Sequence, residues 1–471
     1  MPKTYFADQA LVETAGVNRW ARDVEIEVGP DGAVAAIREN VAASKATRLK
    51  GPVVPGMPNL HSHAFQRAMA GLTEVALNPE DSFWTWRDLM YRMVGKLNPD
   101  QVEAIARYLY IDMLKGGYTS VAEFHYLHHD RDGKPYADPA EMSRRVLAAA
   151  ARAGIGITLL PVLYAHGGFG GKPPSEGQRR FIHSTDAYLN LLETLSGDCQ
   201  QPGRNLGACF HSLRAVTLAE MKDVLAATQE GKHRGCPIHV HIAEQQKEVD
   251  DCLAWSNRRP IEWLYDNVEV GPRWCLIHAT HADAGEVAAM AKSRAVVGLC
   301  PTTEANLGDG LFPAIAFAEA GGVFGLGSDS HVSVSALEEL RWLEYGQRLK
   351  HEKRNRMYAV GEAGGGQKNI AAYLYGACLK GGAQAMNGVG RSGVGGIAVG
   401  TRADLIVLDG QHPLLAHVTG DDVLGRWLFA GSDRLVRDVM VGGDWVVQDG
   451  RHPDEIEAGR AFAEAVRVVV G

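Results

Sequence analysis

Eight apolar runs of strand length, separated by stretches of helical periodicity, constrain this 471-residue chain more than any other feature. In order they are VVPGMPNL, YTSVAEF, IGITLLPVL, NLGACFHSL, PIHVHIA, WCLIHAT, AVVGLC and GVFGLGSD. Strands that alternate with helices are joined by crossovers, so they run parallel and need a helical cover. Eight such units close most naturally into a (β/α)8 barrel of roughly 250 residues. The helical signal is clearest after the first run. There Val102, Ile105, Ala106, Leu109 and Met113 share one face, with Asn98 and Pro99 at the start and Gly116 and Gly117 at the end.

The chain ends read differently. ARDVEIEV, GPDG and AVAAIRE near the N-terminus suggest strand, turn and strand. ADLIVLD and RDVMVGGDWVVQDGR repeat that style near the C-terminus, the latter as a hairpin about Gly442 and Gly443. The expected fold is therefore α/β. A (β/α)8 TIM-like barrel spans 53–395, and residues 1–52 and 396–471 together build a small β-sandwich-like domain. Helices near Ala336 to Lys350 and Asn369 to Ala385 are expected to pad the barrel exterior or an interface.

Composition excludes several partners. The net charge of -8, with scattered Lys and Arg, gives no footprint for a phosphate backbone, so nucleic acid is not expected. The N-terminal MPKTYFADQALVET lacks the apolar core of a signal peptide, and the apolar stretch from Val146 to Val162 is interrupted by Arg152. The expectation is a cytoplasmic protein without a membrane partner. Seven cysteines with no CxxC pair suggest neither a disulfide framework nor a thiolate metal site.

Chemistry in such a barrel sits where strands end. The residues ending the eight runs are unusually rich in histidine: His61 and His63, Glu123 and His125, Tyr164 and His166, His211 and Arg214, His241 and Glu244, His278, and finally Asp329. One intervening residue places His61 and His63 on the same side of an extended segment, where two imidazoles can meet one ion. Either His241 or the deeper His239, with Asp329, completes a three-histidine, one-aspartate set. Imidazole and carboxylate ligands without thiolate suit zinc, although other divalent metals fit the same donors.

The segments VVPGMPNLHSH, HIAE, GSDS and GGIAVGTRADLIVLD resemble the amidohydrolase superfamily, in its deaminase branch, over nearly the whole chain. That resemblance implies one zinc ion per subunit on His61, His63, His241 and Asp329, and a hydrolase that releases ammonia. It implies three catalytic residues: Asp329, Glu244 as the proton shuttle, and His278, with His281 as rival for the last role.

Arg87 in the loop after the first strand and Arg214 in FHSLRAV, with Gln66, Tyr126 and His211, resemble the substrate set of one group within the family. Its members hydrolyse the formimino group of an acyclic dicarboxylate in histidine degradation. The implied partner is a small-molecule dicarboxylate, and a homodimer is the expected assembly. A nucleobase deaminase is the alternative. So is cleavage of the other C–N bond, releasing formamide, or a non-catalytic binding protein. The Gly- and Pro-rich stretch from Tyr164 to Arg180 is a candidate active-site loop or subunit contact.

Overall fold

In the computed structural model the described residues are 2–43, 45–74, 83–358, 367–388, 393 and 395–470. Eight parallel strands form the centre: β1 (Met57–Ser62), β2 (Tyr118–His125), β3 (Gly156–Leu163), β4 (Ala208–Ser212), β5 (Ile238–Ile242), β6 (Trp274–His278), β7 (Val296–Leu299) and β8 (Val323–Leu326). Each pairs with the next in chain order. Backbone bonds from Asp329 N–H to the His61 carbonyl (3.0 Å) and from His63 N–H to the Asp329 carbonyl (3.1 Å) bring the end of β8 against the end of β1. The (β/α)8 expectation holds.

The strands are buried almost throughout, as a sheet covered by helices requires. The helix Pro99–Lys115 begins where the sequence places it. The Asn98 side chain accepts the Gln101 N–H, Gln101 bonds back to the Asn98 N–H, and all five apolar residues of the expected face are buried. After β8, the helix Ile370–Asn387 packs on β8 and β1 from outside. The helix Ala336–His351 packs on the short helix Pro301–Leu307 that follows β7.

Two runs differ from expectation. VVPGMPNL is not one strand: Val53–Pro55 joins the small sheet, and the barrel begins at Met57. Between them Gly56 passes so close to Thr119 that a Cβ there would lie 2.1 Å from its methyl carbon, so the chain can cross between sheets only at a glycine. NLGACFHSL also divides, with Arg204–Leu206 paired to β3 ahead of β4 proper.

Both chain ends enter the small sheet, whose order is Asp444–Val447, Val436–Val441, Leu405–Leu408, Val53–Pro55, Lys3–Thr14, Val17–Val28, Val34–Arg38. The expected C-terminal hairpin is its edge. Tyr5 and Trp445 lie four strands apart in that order, about 19 Å in a flat sheet. Their rings nevertheless meet edge to face at 5.5 Å, so the sheet folds over on itself. Tyr5, Val24, Ile26, Leu405 and Met440 form the core inside that fold. Val54, Ile406 and Val439 point the other way, into the barrel's core. Among the described residues no helix is long and apolar enough to cross a membrane.

Candidate active site and metal centre

At the C-terminal mouth of the barrel a cavity is lined by His63, His241, Asp329, Glu244 and His278 on one side. Gln66, Arg87, Tyr126, His211 and Arg214 line the other. His61 is wholly buried behind His63 and His241. The expected metal, catalytic and substrate residues thus converge on one place, whereas His239 and His281 do not line it.

Strand ends supply the first group. His61 Nε2 lies 3.0 Å from His241 Nε2 and 3.5 Å from Asp329 Oδ1, and His63 Nε2 lies 3.3 Å from the same oxygen. Burial holds His61 and His241 well below the usual histidine range and His63 down to about 3. Neutral imidazoles that turn ring nitrogens toward one point offer lone pairs there, and the His61 Nδ1 is buried without a partner. A tetrahedral ion bound at about 2.0–2.1 Å separates its ligands by roughly 3.4 Å, close to the spacings found. The Phe124 carbonyl, 2.9 Å from His63 Nδ1, fixes that ring with Nε2 facing inward. His61, His63 and Asp329 form one group close enough together to hold a metal ion, and His61, His241 and His278 form another. His239 bonds the Ala385 carbonyl at 2.9 Å instead.

The backbone at these ends is bent. Ala243, His278 and Asp329 all have positive φ (50°, 70° and 48°), which costs non-glycine residues of order 1–3 kcal/mol each. Gly327 lets β8 close on β1, since a Cβ there would lie 2.5 Å from that of His61.

Glu244 Oε1 and Asp329 Oδ2 each lie 3.7 Å from His278 Nε2. Burial raises Glu244 to about 7, against the pull of His278 and Arg214. Burial alone would depress His278, but Glu244, Glu304 and Asp329 outweigh it and hold the ring at about 10. His281 lies outside the cavity lining, its N–H bonded to the Ala243 carbonyl at 3.1 Å.

The second group is built on other elements. Arg87 lies on a helix, Phe83–Val94, rather than in the loop expected. That helix buries Met90, Met93 and Val94 and turns Trp84, Arg87 and Tyr91, spaced three and four apart, toward one side. The guanidinium carbons of Arg87 and Arg214 lie 4.6 and 5.5 Å from the centre of the Trp84 ring. Among the described residues neither arginine forms an ion pair within 4.0 Å and each has a buried Nε without a partner, while Glu248 and Glu244 act on Arg214 from farther off. Gln66 Nε2 donates to the Tyr126 hydroxyl at 2.8 Å, and its Oε1 is left free.

Tyr164 and Phe181 also line the cavity. The stretch between them is pinned at its base, where the buried Arg180 donates to carbonyls of Val94, Leu97 and His129.

Comparison with known proteins gives the family. Residues 53–446 match the model of the amidohydrolase family. The chain belongs to that family. Within it, the chain is 61% identical to a formimidoylglutamate deiminase of Pseudomonas aeruginosa, over 98% of each chain. It is 26% identical to an 8-oxoguanine deaminase of the same organism, over 87% of this chain and 85% of that one. A crystal structure of an amidohydrolase from Brucella melitensis superposes with a TM-score of 0.90 at 46% identity, covering 100% of both chains.

For an amidohydrolase, the surroundings of Trp84, Glu123 and Glu304 were not legible in the sequence, although Glu123 stands among its strand-end residues. Trp84 sits among residues whose helical spacing was visible but was taken for loop. Glu123 lies beneath β1, accepting Ser62 Oγ (2.5 Å), Ala64 N–H (2.7 Å) and the Tyr110 hydroxyl (3.0 Å), and burial raises it to about 7. Glu304 faces His278 Nδ1 at 3.2 Å. Its signal was the sequence CPTTE after β7, a proline-led helix start with an acid in the first turn.

Proposed function

We propose that this protein is a formimidoylglutamate deiminase, hydrolysing N-formimino-L-glutamate to N-formyl-L-glutamate and ammonia in L-histidine catabolism. The observation that carries the reading is the pair Arg87 and Arg214. Two guanidiniums with no carboxylate in direct contact among the described residues share one cavity with the histidine, aspartate and glutamate cluster. A substrate with two carboxylates satisfies both, whereas an uncharged base would leave them unpaired at about 1–3 kcal/mol or more each. The near full-length identity to a deiminase of that name points the same way.

His61, His63, His241 and Asp329 would hold one zinc ion per subunit. Zinc in such a setting supplies Lewis acidity, bringing the pKa of water toward about 7. Arg87 and Arg214 grip the carboxylates while Gln66 and Tyr126 add hydrogen bonds. His211 and His278 orient the formimino group. Water adds to the formimino carbon, and Asp329 accepts its proton. Glu244, poised near neutrality, delivers a proton to the terminal nitrogen. As the tetrahedral adduct collapses, its hydroxyl proton returns to Glu244 and the proton held on Asp329 passes to the departing nitrogen, so the C–N bond breaks, ammonia leaves and the formyl group stays on the glutamate nitrogen. A homodimer in the cytoplasm completes the proposal, and seven buried cysteines without a disulfide suit a reducing compartment.

The test is turnover of N-formimino-L-glutamate, its aspartate analogue and common nucleobases by the metal-loaded protein, with product analysis. Ammonia and N-formyl-L-glutamate are expected, with loss of activity on chelation and recovery on adding zinc. Free glutamate with formamide, or faster release of ammonia from a purine, would overturn the reading.

A further inference from the structure

Three consecutive residues after β7 tie the reacting side of the site together. The Thr302 N–H and hydroxyl both donate to Glu339, at 3.0 and 2.5 Å, and Glu339 is a wholly buried carboxylate on the helix Ala336–His351. This anchors the first turn of the helix Pro301–Leu307. The Thr303 hydroxyl accepts the Ser330 N–H at 3.2 Å and lies 3.0 Å from the Ser330 hydroxyl, holding the residue next to Asp329. Glu304 turns Oε1 inward, where it accepts the Cys300 N–H at 2.9 Å and faces His278 Nδ1 at 3.2 Å.

The contact matters because His278 ends β6 in a left-handed conformation, φ 70°, so no continuing strand fixes its ring. With Nδ1 engaged by Glu304, Nε2 is the nitrogen turned to Glu244 and Asp329. A carboxylate accepting from one imidazole nitrogen sets both the ring orientation and the position of the proton. We propose that Glu304 is the positioning residue of this site, fixing His278 through Nδ1 so that Nε2 faces the reacting group. This rests on the deiminase reading for what His278 faces, and on geometry alone for the contact itself. His278, Cys300 and Glu304 are also close enough together to share a cation. Glu304 Oε1, however, already accepts the Cys300 N–H and faces His278 Nδ1, which makes the hydrogen bond the use of this cluster.

Glu304→Gln keeps the volume and removes the charge. It should lower kcat about 10–100-fold with KM changed less than about threefold. In a His278→Asn background the same substitution should cost less than about twofold, because the two residues act as one unit. A second readout needs no substrate. In the zinc-loaded protein labelled with 15N-histidine, the downfield Nδ1 proton of His278 should vanish in both Glu304→Ala and His278→Asn. Unchanged kcat, an undiminished further loss on top of His278→Asn, a fall in activity matched by loss of bound zinc, or a resonance that survives Glu304→Ala would each overturn the proposal. Should the wild-type protein not deiminate formiminoglutamate, the functional reading falls alone, and the resonance still decides the role of Glu304.

Discussion

The two sides of the cavity are built in opposite ways. The histidine and carboxylate side stands on the ends of β1, β5, β6 and β8, where ladder bonds and buried partners leave each side chain little freedom. The arginine side is assembled from the helix Phe83–Val94, the residues after β4 and the pinned stretch ending at Phe181, none of them central to the barrel. On the first side the neutral imidazoles of His61, His63 and His241 converge as lone pairs. On the second, guanidiniums are faced by the aromatic ring of Trp84, which holds them without cancelling their charge. On the proposed function the difference separates two tasks. Bond making needs atoms held within fractions of an ångström. Choosing a substrate needs unsatisfied charge, which peripheral elements can vary without disturbing the chemistry.

The contrast breaks most visibly at Glu244. Glu244→Gln should reduce kcat by about 10²–10⁴-fold while leaving KM and zinc content near those of the parent, as steady-state kinetics and metal analysis would show. A rise in KM with kcat spared would place Glu244 on the substrate-selecting side instead. Next in size, Arg214→Gln or Arg87→Gln should lower kcat/KM about 10–100-fold, chiefly through KM, since a charged hydrogen bond is worth about 1.5–3 kcal/mol. A loss confined to kcat would erase the division of labour.

The smallest effect concerns stability on the rigid side. Burial raises Glu123 from its ordinary 4.5 to about 7, so the folded protein binds its proton more tightly than the unfolded chain does. Its contribution is therefore fully present below about pH 4.5 and is lost as the pH climbs through 7. Between pH 5 and 8 the parent should lose about 2 kcal/mol more stability than Glu123→Gln in parallel denaturant titrations. Parallel pH profiles for the two proteins would show that this carboxyl carries no such cost.

Legibility followed the same division. His61, His63, His241, Asp329 and Glu244 could be read because strand ends impose a rule: the barrel's mouth collects them whatever the helices between do. Arg87 lines the cavity but lies on a helix where a loop was expected, because a polar, Trp-rich segment shows its helical period only once Met90, Met93 and Val94 have a core to enter. Glu304 was missed because PTTE after a strand reads as an ordinary helix start. Only its 3.2 Å approach to His278, from a residue 26 positions away, gives it meaning.

What the sequence determined by itself was the alternation of eight strands with helices, the β-rich ends, and the polar residues each strand carries to its C-terminal end. Those follow from local periodicity, which each segment expresses without reference to the rest. Tertiary structure decided that Val53–Pro55 leaves the barrel for the small sheet, that this sheet folds back until Tyr5 meets Trp445, and that Trp84 stands between two arginines. Each of these depends on contact between segments distant in the chain, and such contacts exist only once the barrel has closed and brought them together.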